Sequence, residues 1–170
     1  MQKYYMISFD QEEDYVNAFL DLPGRLYGKK ELMQNVGEEK KLLLGIHPLS
    51  KYFKTYHFLV RDVETETIVS RATITTYPNE AEVAYFGFFE SEDIQDAVKC
   101  LFDGLSGWAA EHAYKRLVGP VNASFWLGYR LKTDHFDTPY AGEPYNKPYY
   151  QRLLEYVGFG ITDELSLIQQ

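Results

Sequence analysis

The sequence has too little cysteine for a disulfide, too few basic residues for a polyanionic partner, and no long apolar run. Cys100 is the single cysteine in 170 residues, which fits a reducing compartment and a packed helical thiol rather than a covalent staple. Seventeen Lys and Arg stand against twenty-five Asp and Glu, a formal charge of −8. Nucleic acid and anionic membrane surfaces both require a basic face, so neither is an expected partner. The opening "MQKYYMISFDQEEDY" lacks the apolar core of a secretion signal, and no stretch is long enough to span a bilayer. The expected location is the cytoplasm. Phosphate-loop, nucleophile-elbow and zinc spacings are also missing, and His135 with Asp134 and Asp137 offers no third ligand at a supporting distance. No metal site is expected.

What is abundant is aromatic and apolar side chain. Fifteen Tyr and eleven Phe contribute to a hydrophobic content of 45%, enough for a substantial core and an aromatic-lined pocket. The length fits one domain over residues 1–170.

Along the chain, "KYYMISF" (3–9) reads as a strand. Asp10 is placed to cap the helix that follows, which is expected to end at Pro23-Gly24. A weaker helical stretch with a possible break at Gly37 leads into three strands, 55–62, 67–77 and 80–90, joined by the short turns of an antiparallel meander. From about Glu92 to His112, Ile94, Ala97, Val98, Leu101, Phe102, Leu105, Trp108 and Ala109 recur every three or four residues, one apolar stripe of a long helix. Gly104 and Gly107 lie off that stripe, where they would allow a neighbour to approach closely. A strand at 115–121 completes a βαβ-like unit, so 80–90 and 115–121 are expected to be parallel neighbours. Residues 122–147 form a long aromatic, Gly- and Pro-containing connection of the kind that carries function. A short helix ends at Gly158, and about ten residues after Phe159 allow one last strand.

Three stretches in order, "YFGFFESED" (85–93), "GPVNAS" (119–124) and "EPYNKPYYQRLLEYVGF" (143–159), resemble a divergent branch of the GNAT (general N-acetyltransferase) superfamily. The element order agrees across roughly residues 3 to 168. The implied fold is α/β (α+β), a mixed, mainly antiparallel sheet with helices on both faces. One closing strand instead of a hairpin implies a longer parent protein, or a sheet completed by a further domain or by the partner in a homodimer.

The resemblance implies transfer of an acyl group from acetyl-CoA or another acyl-CoA to an amine of a small molecule or protein. Glu82 or Glu90 on the fourth strand is then the candidate general base. The proton donor's usual position, four residues before Gly158, is held by Leu154, which leaves Tyr150 one turn earlier, or Tyr156, as substitutes. The coenzyme loop of the family corresponds to Phe89, Ser91, Asp93 and Asp96. Its usual Arg/Gln-x-x-Gly-x-Gly/Ala pattern is degenerate here: Asp93 stands at the Arg/Gln position, and Asp96 and Val98 at the small-residue positions. Acids at a helix start stabilise its dipole, with Ser91 as an expected N-cap, and they oppose a phosphate. Asn122, Ser124, Trp126 and Tyr129, just past a Gly-Pro turn, are the candidate substrate-binding residues, and Asn122 and Trp126 are expected to border one pocket with Tyr150. The alternative is a catalytically inactive GNAT-fold module that binds a small ligand and has lost the pyrophosphate loop.

Overall fold

The structure, a computed structural model, describes residues 2–28, 34–121, 147–161 and 167–169. Strand β1 (Tyr4–Phe9) is followed by helices α1 (Glu13–Leu26) and α2 (Val36–Leu43) and a 3-10 turn (Pro48–Tyr52). Strands β2 (Lys54–Asp62), β3 (Thr67–Thr76) and β4 (Val83–Ser91) form the meander. Helix α3 (Gln95–Glu111), β5 (Arg116–Gly119), α4 (Tyr150–Tyr156), β6 (Phe159–Ile161) and β7 (Leu167–Gln169) complete the order. All strands belong to one sheet, β1-β2-β3-β4-β5-β7-β6. Among the described strands only β4 and β5 run parallel, with α3 as the crossover between them.

The apolar stripe of α3 is buried as its spacing requires. Ala97, Val98, Leu101, Phe102 and Leu105 pack with Phe86, Phe89, Leu153 and Leu154 on one face of the sheet. Phe19, Val16 and Leu20 of α1, with Leu43 of α2, cover the other face against Phe9 and Leu59. Helices therefore lie on both faces.

Several local expectations are corrected. Asp10 does not cap α1: its N–H donates to Glu12 Oε2 at 2.8 Å, and the helix begins three residues later at Glu13. The helix also runs through Pro23 instead of ending there. Gly37 does not break α2, because the Asn35 side chain caps that helix by accepting from the Glu38 N–H at 3.0 Å. Past Phe159 there are two short strands, not one. They pair antiparallel, and β7 joins β5. A three-residue strand carries too few residues for side-chain periodicity to reveal it.

Close approach occurs at two glycines. A Cβ on Gly104 would lie 2.2 Å from Met6 Sδ, so its absence lets α3 settle onto β1, whereas Gly107 has open space around it. At Gly119 a Cβ would meet the Phe86 carbonyl oxygen at 2.4 Å and the Phe86 ring at 2.6 Å. Backbone cannot swing aside as a Met side chain can. Gly119→Ala is therefore expected to lose roughly 1–3 kcal/mol of stability, typical of overpacking, measured as a lower urea midpoint at unchanged slope.

Candidate functional site

The geometry of the site starts from an irregularity in β4. Across the β3–β4 pair, Thr73 faces Gly87 and Arg71 faces Glu90, so Phe88 and Phe89 together oppose the single Ala72. This is a β-bulge, and Phe88 sits at φ 51°, a left-handed conformation that a bulky residue adopts only when its surroundings impose it. Strain of order 1–3 kcal/mol at such a position marks a functional candidate.

The bulge re-sorts the side chains. Strict alternation places Phe86, Phe88 and Glu90 on one face of the strand. Phe86 and Phe89 instead pack under α3, while Phe88 turns to the α1–α2 face beside the Phe9 and Phe19 group. Glu90 lies on that same α1–α2 face, next to Arg71.

Pairing of β4 with β5 covers only Val83–Arg116, Ala84–Leu117 and Tyr85–Val118. Beyond it the Val121 N–H still donates to the Phe86 carbonyl at 2.7 Å, and β4 continues to Ser91. Helix α4 reaches the end of β4. Tyr149 Oη donates to the Ser91 carbonyl at 2.6 Å, and the Ser91 N–H donates to Tyr150 Oη at 2.9 Å. Tyr150 Oη in turn donates to Glu90 Oε2 at 2.8 Å. Its ring is fully buried, 4.9 Å from that of Phe89, because Tyr150, Leu153 and Leu154 form the apolar face of α4. Tyr150 is thus both an aromatic anchor and a hydroxyl aimed at Glu90. Leu154 is core, and Tyr156 is half exposed at 49%.

Burial pushes the Glu90 carboxyl up to about 7. The Arg71 charge and the hydroxyls of Tyr150 and Tyr27 hold it from rising further, and Glu39 opposes them. Burial, then Glu90 itself, push the Tyr150 phenol well above its ordinary value. Arg71 is enclosed at 2% exposure, its Nη1 donating to the Phe19 carbonyl at 2.7 Å and to Glu39 Oε1 at 2.9 Å.

Two of the three candidate catalytic residues, Glu90 and Tyr150, therefore meet in one hydrogen bond. Glu82 is elsewhere: it precedes β4 and forms an exposed ion pair with Lys115 at 3.1 Å. Eight residues of extended chain separate it from Glu90, about 25 Å.

The candidate cofactor residues are ordered differently from the sequence reading. Ser91 does not cap α3; it is the last residue of β4, and its Oγ donates to the Glu92 carbonyl at 2.8 Å. The N-cap is Ile94, in extended conformation, and its side chain makes no capping bond to the first-turn amides. Asp93 is engaged by Arg152 of α4, whose Nη2 lies 2.7 Å from both carboxylate oxygens. Asp96 is exposed in the first turn of α3, and Val98 is part of the core. Asn122, Ser124, Trp126 and Tyr129 lie outside the described residues, as does the pocket expected between them and Tyr150.

Residues not picked out from the sequence include Arg71, Glu39, Tyr27, Tyr149 and Arg152. One signal was available. A lone Arg inside the strand "TIVSRATITT" is costly to bury without a partner.

No family profile and no curated protein sequence matches the chain. Solved structures do. Over 97% of both chains it is similar to a probable acetyltransferase from Staphylococcus epidermidis, at 11% identity and a TM-score of 0.57. It is similar to a tandem GNAT protein of the clavulanic acid biosynthesis pathway at 13% identity and a TM-score of 0.58, over 94% of this chain and 45% of that one. A third is a GNAT family acetyltransferase from Elizabethkingia anophelis with acetyl-CoA bound, at 13% identity and a TM-score of 0.50, over 100% of this chain and 99% of that one. The fold is that of the GNAT acetyltransferases. Among the described residues, no helix is long and apolar enough to cross a membrane and no group of side chains could hold a metal.

Proposed function

We propose that the chain is an N-acyltransferase that moves an acyl group from an acyl-CoA thioester to an amine of a small molecule or a protein. The observation that carries the reading is Glu90: a carboxyl poised at about 7, placed by a strained bulge near the end of β4, in contact with a phenol. A general base works best with a pKa near the working pH, and few surface carboxylates meet that condition.

Two features fit the donor. The start of α3 has no side-chain cap, which leaves its amides for a phosphate, and Arg152 neutralises Asp93, one of the acids that would repel it. Bound there, an acyl-CoA supplies an activated carbonyl and a thiolate leaving group. The edge of β4 at Phe89 and Ser91 would hold its extended amide-bearing arm as an added strand. Glu90 would accept the proton of the attacking amine. Tyr150, hydrogen-bonded to Glu90, is the group positioned to return a proton to the thiolate. Much of the rate would come from holding amine and carbonyl together.

A second reading is favoured by one observation. Both backbone groups of Ser91 are already taken by Tyr149 and Tyr150. If the tyrosines keep them, the chain is a non-catalytic small-ligand-binding module. Calorimetry of the full chain with acetyl-CoA, followed by thiol-release assays over a panel of amines, separates the two. The transferase reading expects saturable binding tighter than about 1 mM, weakening with salt, and amine-dependent thiol release. Heats no larger than dilution up to that concentration would leave the module.

A further inference from the structure

We infer that Arg71 is a positioning residue for Glu90, and that the proline inside α1 is what frees a backbone carbonyl to hold it. Pro23 sits in the interior of α1 and has no N–H, so the carbonyl four residues earlier, that of Phe19, lacks its helical donor. Arg71 Nη1 supplies that donor at 2.7 Å. The next carbonyl, Leu20, accepts from Gln34 Nε2 at 2.9 Å, and the same Gln34 nitrogen lies 3.2 Å from Glu39 Oε1. Glu39 Oε1 also accepts from Arg71 Nη1 at 2.9 Å, and the guanidinium lies 4.4 Å above the Phe19 ring.

The fixed side chain projects from the residue directly opposite Glu90 across the β3–β4 pair, on the same face of the sheet. Its Nε is buried and has no hydrogen-bond partner among the described residues, so Glu39 does not use the guanidinium fully. A buried cation held this firmly keeps a partly buried carboxyl ionisable near neutrality. Without it, burial alone would leave Glu90 protonated and unable to accept a proton. Among the described residues, the other groups acting on Glu90 include Glu39 from α2, Tyr27 at the end of α1, and Tyr149 and Tyr150 from α4, and the Lys147 ammonium stands 4.9 Å from the Tyr27 ring.

This inference rests on the reading of Glu90 as the base for its catalytic meaning, but its test requires no acyl donor. The full chain is labelled at the glutamate side-chain carboxyl carbons, the Glu90 signal is assigned with Glu90→Gln, and its titration is followed by NMR. The native midpoint is expected near 7. Arg71→Met should raise it by one pH unit or more, a tenfold gain in proton affinity, and Arg71→Lys should bring it at least halfway back. Pro23→Ala restores an N–H to compete for the Phe19 carbonyl and favours the helix. It should therefore fold, and shift the midpoint upward by a smaller, measurable amount. An unmoved midpoint in folded Arg71→Met overturns the assignment, as does an unmoved midpoint in Pro23→Ala where Arg71→Met fails to fold. If the midpoints shift but no amine panel releases thiol, Arg71 keeps its role and the transferase reading falls instead.

Discussion

Replacing Glu90 with Gln is expected to lower amine acylation by about 10²–10⁴-fold, the usual contribution of a positioned proton acceptor. The amide keeps the size of the side chain and can still accept from Tyr150, but it cannot take a proton from an amine. In the native protein the rate should rise with pH through a midpoint near 7, because the carboxyl must be ionised to act. Free thiol released from acetyl-CoA, followed from pH 5.5 to 9, reports both quantities. Loss of the limb near 7 together with the loss of rate is the expected pattern. An unchanged rate would remove Glu90 from the chemistry. Glu82→Gln is the control, since its side chain is 62% exposed and paired with Lys115; it should leave the profile as it is.

The second large effect is on stability. The Glu90 carboxyl rises on folding from 4.5 to about 7, so the folded state binds more protons between those values. Its contribution is fully present below pH 4.5 and is lost as pH rises through 7. That shift corresponds to an upper limit of about 3 kcal/mol at 1.36 kcal/mol per pH unit. His57 behaves in the opposite sense. Burial first, and then Arg71, lower its imidazole from 6.5 to about 3. Its contribution is present above pH 6.5 and is lost as pH falls towards 3. Between pH 4.5 and 6.5 the two slopes oppose each other. Glu90→Gln removes one of them. Urea unfolding at pH 4.5, 5.5, 6.5 and 7.5 should then show the variant gaining stability with pH relative to the native protein. The native stability relative to the variant should fall by about 3 kcal/mol across the series. A constant difference would mean that Glu90 titrates alike in the folded and unfolded chains. Groups other than Glu90 are common to both proteins and cancel.

These effects depend on a bulge that alternation could not foresee. "EVAYFGFFE" reads as a plain two-residue repeat, and on that basis Glu90 shares a face with Phe86. One extra residue opposite Ala72 carries Glu90 to the other side of the sheet, and nothing in the composition of the strand specifies where that residue is inserted. Similarly, "PYYQRLLEYVG" declares a short amphipathic helix. Whether the Tyr150 hydroxyl ends in solvent or on Glu90 depends on how that helix docks, sixty residues away along the chain.

Local patterning determined the longer elements and their order, but not the short strands β6 and β7. The stripe from Ile94 to Ala109 specified α3, and the short turns between apolar runs specified the meander. The strand-helix-strand spacing made β4 and β5 parallel, since covalent chirality leaves one hand for that crossover. These features follow from side-chain period and chain connectivity, which a sequence carries explicitly. The site did not follow in that way. Glu90, Arg71, Glu39, Tyr27 and Tyr150 come from five separate segments, and their charges depend on burial and on one another. Pro23 shows the boundary between the two. Its missing N–H is written in the sequence, but that Arg71 fills the vacancy, and so stands beside Glu90, is decided only when α1 packs onto β3.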